Sequence, residues 1–180
     1  LTTWDDHEVT NNWWPERKLS RRIMFRKGYS QTNVDSLARN GRQAFFDFTP
    51  MQRHPTDPNR IFRKLSYGKN LDVFLLDSRS YRSPNNPNQQ ASPGKDTALL
   101  GQVQINWLKK ALSESKALWK IIANPLPIAH KKKGERPRYD KFSNNDNGLP
   151  RGREFEIADI LSHIKGHKIT NTVWLAADVH

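Results

Sequence analysis

Two short patterns place carboxylates and imidazoles where they could do chemistry: Asp5-Asp6-His7-Glu8 near the start of the chain and Asp178-Val179-His180 at its close. Three carboxylates around one histidine in four residues repel one another unless a cation or solvent compensates. The block is therefore either a metal-binding loop or an exposed acidic turn. In Asp178-Val179-His180, the two-residue period of a strand puts both polar side chains on one side, offering an oxygen and a nitrogen ligand. Three apolar runs end on polar side chains: Val73 to Leu76 on Asp77, Ile121 to Ala123 on Asn124, and Val173 to Ala177 on Asp178. In open α/β sheets ligands bind beyond such strand ends, although Asp and Asn there also begin turns and cap helices. Together the two end motifs and Asn124 suit a carboxylate, amide and imidazole site for metal-assisted phosphoester hydrolysis.

The elements that must position these residues follow from hydrophobic periodicity. Residues 34–48 carry Val34, Leu37, Ala38, Ala44, Phe45 and Phe48 at helical spacing, with Asn33 as N-cap and Pro50 as a stop. Residues 61–67 and 71–77 read as a hairpin turning at Gly68-Lys69-Asn70, and the continuous apolar run of its second arm suits a buried strand. The Pro-, Asn- and Ser-rich residues 83–94 form a loop. Leu100, Val103, Trp107, Leu108, Ala111 and Leu112 predict an amphipathic helix ending near Ser115, and residues 119–123 a buried strand. After a polar loop over 130–151, Phe155, Ile157, Ile160, Leu161 and Ile164 predict a second amphipathic helix closed by Gly166, followed by a strand over 172–177. Strands alternating with helices make the class α/β, with no repeat and no linker dividing residues 1–180.

Composition limits the rest. The chain has 180 residues, 30 Lys+Arg against 18 Asp+Glu, a net charge of +12, and a 35% hydrophobic content that includes six Trp and eight Phe. That fits one folded domain or a large part of one. No run approaches the ~20 apolar residues of a membrane-spanning helix. Without cysteine, disulfides, thiolate zinc sites and Cys nucleophiles are excluded, and any metal takes O and N ligands. The opening residue is Leu and the last apolar run stops on polar side chains, so a fragment cut at both ends is expected.

The blocks Trp4-Asp5-Asp6-His7-Glu8-Val9, Leu76-Asp77-Ser78-Arg79-Ser80-Tyr81-Arg82, Gly101-x-x-Gln104-x-x-Trp107-Leu108, Gly152-Arg153-Glu154-Phe155-Glu156 and Asp178-Val179-His180 resemble the PhoD-like branch of the calcineurin-type metallophosphoesterases. The resemblance covers nearly the whole chain. It implies a two-sheet β-sandwich flanked by helices, present here as a fragment lacking the upstream ligand motifs. It also implies hydrolysis of phosphomonoesters and phosphodiesters by in-line attack of a metal-bound hydroxide, in a periplasmic or secreted protein. Asp6 matches a metal ligand and His7 the histidine at the scissile phosphate, which would act as general acid. Asn124 stands where many relatives have a liganding His, and Asp178 and His180 replace a Gly-His-x-His pair. Asn11, Arg79 and Arg153 join His7 as candidate substrate contacts. The resemblance implies two or more metals, calcium and iron first, manganese or zinc next. The fragment alone is expected to be inactive.

Charge supports a second reading. Arg17, Lys18, Arg21, Arg22, Arg26 and Lys27 form one basic cluster, and residues 130–138 another, as expected of a nucleic-acid-binding module. The same basic rim would gather phosphoesters, including nucleotides or nucleic acid ends. An inactive scaffold is the third reading. Arg79, Arg82 and Arg153 are each salt-bridge residues or phosphate contacts, and the tryptophans are packing residues, with Trp13 and Trp14 alternatively the walls of a substrate cleft.

Overall fold

The computed structural model describes residues 1–129, 140–144 and 146–177. Asp178, His180 and the second basic cluster lie outside them. The chain runs α1 (Arg21–Lys27), α2 (Val34–Phe48), β1 (Arg63–Tyr67), β2 (Leu71–Leu75), α3 (Gln102–Glu114), β3 (Trp119–Asn124), α4 (Glu154–Gly166) and β4 (Thr172–Ala176). A single 3-10 turn, Lys95–Thr97, precedes α3.

The described residues form one four-stranded sheet in the order β1-β2-β3-β4, antiparallel between β1 and β2 and parallel thereafter. The α/β class and hairpin hold, while the two-sheet sandwich is reduced to this single mixed sheet with flanking helices. The reason is topological: every described strand pairs in one row, and the intervening chain is helix or loop. The register sets Leu75 beside Ala123 and Asn124 beside Ala176. The carboxyl ends of the three parallel strands therefore lie level, and the chain leaves all three at one edge of the sheet.

The helices form where periodicity and caps agree. The Asn33 side chain accepts from the Asp35 amide at 2.9 Å and starts α2. In α4, Gly166 remains helical, against the expected glycine closure; Lys168 instead takes positive φ (51°) and the Ile169 amide returns to the Ile164 carbonyl. Helices α3 and α4 bury Leu108, Leu112, Ile157 and Ile160 against Phe74, Leu76 and Ile122 of the sheet region. Each such side chain contributes roughly 1.5–3 kcal/mol by leaving water. A second apolar cluster joins Trp4, Trp13, Leu19, Val34, Ala38, Phe46 and Ile61, and docks the N-terminal segment on α2.

The Tyr81 ring lies 5.7 Å from that of Phe62. Burial first, then Asp77 and Asp57, push its phenol from 10.0 up to about 12. Between those values the unfolded chain ionises Tyr81 while the folded chain does not, so stability is lost as pH rises through that window. Tyr81→Phe is expected to flatten this alkaline decline. Urea unfolding of both forms at pH 9 and pH 11.5 checks it, and an identical decline in both removes Tyr81 as its source.

Candidate active site

The Asp-Asp-His-Glu block is held to the sheet by the segment leaving β2. Thr3 Oγ1 donates to the Leu76 carbonyl at 2.6 Å, and the Trp4 indole N–H donates to Asp77 Oδ1 at 2.8 Å. Asp77 is fully buried and also accepts from the Arg79 and Ser80 amides at 2.9 Å and from Ser80 Oγ at 2.6 Å. It thus both starts the turn, as strand-end Asp residues do, and anchors the block. Gln104 of α3 brackets it by exchanging hydrogen bonds with the Asp77 backbone, both at 2.8 Å.

Within the block, the Asp5 amide donates to Glu8 Oε2 and the Val9 amide to the Asp6 carbonyl, which makes a tight turn. Asp6 is buried, and its Oδ2 accepts from the Asn12 amide at 2.7 Å. Asn12 has positive φ (53°), which aims that amide inward. The His7 side chain is 74% exposed, with Nε2 3.9 Å from Asp6 Oδ1. Asn11 is exposed on the same turn.

A cleft of about 260 Å³ opens here, lined by Thr3, Asp5, Asp6, His7, Glu8, Pro125 and Ala177. It joins the first motif to the residues just past β3 and β4. Asn124, immediately before Pro125, is buried. Its Nδ2 donates to the Leu126 carbonyl, while Oδ1 accepts no hydrogen bond from any described residue. An orphaned buried amide oxygen is costly unless something occupies it. Asp6 and this oxygen are donors suited to a hard cation. Among the described residues, no three His, Asp or Glu side chains gather as a metal cluster. Asp178 and His180, which follow Ala177 in the chain, lie outside that set.

The sequence leaves Arg79 and Arg153 open as salt-bridge residues or substrate contacts; the structure buries both completely. Arg79 Nε lies 2.5 Å from Asp5 Oδ1 and its Nη1 2.8 Å from Asp140 Oδ2. Arg82 pairs with the other oxygen of Asp140. The Arg153 amide donates to Asn88 Oδ1 at 2.6 Å and its guanidinium to the Pro84 carbonyl at 3.0 Å. Gly152 beside it has positive φ (55°) and sits so close to Asn88 that a Cβ would stand 2.6 Å from the Asn88 carbonyl oxygen. Burial, countered by Asp140 and Asp5, leaves Arg79 raised above its usual value. Arg82 is pushed down to about 9, by burial and then by Arg79 and Arg153 against the pull of Asp140. Arg153 falls to about 10, again mainly through burial. All three remain charged at neutral pH, and Arg79 clamps the carboxylate next to Asp6.

Asp140 was not legible as part of this site, since a lone Asp in a polar loop carries no spacing signal. Its importance comes from meeting Arg79 across 61 positions of chain. Glu156 carries no spacing signal of its own either, yet its carboxylate accepts from the Leu99, Leu100 and Gly101 amides at 2.7–3.1 Å and fixes the entry to α3.

Comparison with known proteins gives one consistent result. The pattern of the PhoD-like phosphatase family matches residues 1–180. Alkaline phosphatase D of Bacillus subtilis (strain 168) is 29% identical over 189 aligned positions, covering 100% of this chain and 30% of that protein. A solved structure described as the structure of PhoD superimposes with a TM-score of 0.70 at 25% identity, covering 99% of this chain and 34% of its own. The chain spans about a third of the length of these relatives. The motif blocks, the level strand ends and the match along all 180 residues agree: the chain belongs to the PhoD-like phosphatase family.

Proposed function

We propose that the protein containing this chain is a metal-dependent phosphoester hydrolase acting on phosphomonoesters and phosphodiesters. The observation that carries the reading is the cleft that brings Asp6 and His7 to the residues following β3 and β4. Family membership supports both a phosphoester substrate and a requirement for metal ions. Asp6 and Asn124 would hold such an ion with Asp178 and His180, and further ligands would come from sequence outside this chain. When bound, the ion supplies Lewis-acid stabilisation of phosphoryl charge and an acidified water.

The chain's own groups do the remaining work. Arg79 and the Asn12 amide fix the carboxylates of Asp5 and Asp6, so that the block presents a rigid, preorganised face. His7, exposed at the rim, donates a proton or hydrogen bond to the leaving oxygen. Arg79 and Arg153 act by positioning, since other protein groups already engage their guanidiniums. Asn11 contacts substrate from the same turn as His7.

The test is turnover of p-nitrophenyl phosphate and bis-p-nitrophenyl phosphate by the full-length protein, before and after chelation. Hydrolysis that falls at least tenfold with chelator and returns on adding calcium with iron, manganese or zinc is expected. Hydrolysis indifferent to chelator, or absent with every metal, rules the proposal out.

A further inference from the structure

Next to the acidic cleft, and sharing His7 with it, lies a larger cavity of about 700 Å³. One wall is the turn bearing Asn11, with Arg17; the other is α1, with Arg22, Arg26 and Lys27, and no carboxylate lines the cavity among the described residues. The wall is built rather than incidental. The Ser20 side chain caps α1 by accepting from the Ile23 amide, and Ile23 and Met24 pack on the second apolar cluster. Arg17 is locked over the turn by bonds to the Asn11 and Asn12 carbonyls at 2.7 and 3.0 Å, and its guanidinium stacks on Trp14.

The side chains of Arg22, Arg26 and Lys27 make no hydrogen bond or ion pair with any other described residue. Arg22 and Arg26 stand four residues apart on a helix of only seven. Like charges at that spacing destabilise a helix. A concave wall carrying these cations concentrates positive potential, and guanidinium forks match phosphate oxygens. An ester whose reacting phosphorus stands at His7 has two directions open to it, the acidic cleft and this cavity.

We infer that the cavity is a subsite for a second phosphate of the substrate, carried on the part of the ester beyond His7. The inference rests on the phosphoester reading above. It makes the preferred substrate a molecule with at least two phosphates separated by a spacer, and it gives the basic helix α1 a role in choosing substrate.

The test compares alkane-α,ω-diol bisphosphates of two to eight carbons with alkyl monophosphates of equal length, using phosphate release by the full-length protein. At the best spacer, kcat/KM for the bisphosphate is expected to exceed that of the monophosphate by about tenfold, through KM. The ratio should fall toward one in R22Q/R26Q and survive in R22K/R26K. A ratio near one at every length, or one unchanged in R22Q/R26Q, overturns the subsite. Should none of the esters be hydrolysed, the phosphoester reading is what fails, and calorimetry then decides the cavity by itself. Bisphosphates binding at least tenfold more tightly than monophosphates, with the difference lost in R22Q/R26Q, support it; equal binding overturns it.

Discussion

Asp140→Asn is expected to destabilise the full-length protein by about 3–5 kcal/mol, the range for breaking one side of a buried ion pair. Its side chain is 2% exposed and its two oxygens meet Arg79 and Arg82, with Arg153 close enough to feel its charge. Asparagine keeps the shape but removes the anion that offsets three buried guanidiniums. Arg82 suffers most, because burial and its two cationic neighbours already bring it to about 9. Adding Arg82→Met should therefore recover part of the loss, a coupling that a double-mutant cycle in urea unfolding measures. A single-variant cost under about 1 kcal/mol, the level of an exposed pair, would show that the cluster does not depend on Asp140.

His7→Ala should lower kcat toward p-nitrophenyl phosphate by about 10² to 10⁴, the span of a positioned general acid. Stability should barely change, because the imidazole is 74% exposed and is removed without opening a cavity. Metal content of the purified variant is the second readout. A loss equal to that of Asp6→Ala would make His7 a ligand, and an unaltered kcat would take it out of the mechanism.

Much of the fold was legible because local and long-range preferences agree. In α2 the apolar spacing and the Asn33 cap point to the same start. In β2 the continuous apolar run matches a strand buried along most of its length. Helix α1 was missed because seven residues are too few for a period to register, and its four basic side chains read as a charged surface. The closure of α4 failed differently: Gly166 could have taken the left-handed position, but the chain continues two residues and gives it to Lys168. The second sheet came from the family resemblance rather than from any run in this chain. At the site, Asp6 and His7 were visible as a dense motif. The network behind them was not, because its members meet only after folding.

The three anchors of the Asp-Asp-His-Glu block share one property: each spans 73 or 74 positions of sequence. Closing a loop of that length costs about 4 kcal/mol in chain entropy, on a scale of (3/2)RT ln n. One hydrogen bond, worth about 1 kcal/mol net, does not meet it. The Thr3, Trp4 and Asp5 contacts, with Trp4 and Trp13 buried behind them, must therefore form together. Their acceptors and donors at residues 76–79 exist as a surface only once β2 is paired with β3, through the Leu76 amide on the Ala123 carbonyl. The block is thus expected to assemble as a unit after β2 and β3 pair, and pulse-labelled hydrogen exchange in which its amides gain protection together and later than those of the sheet checks this.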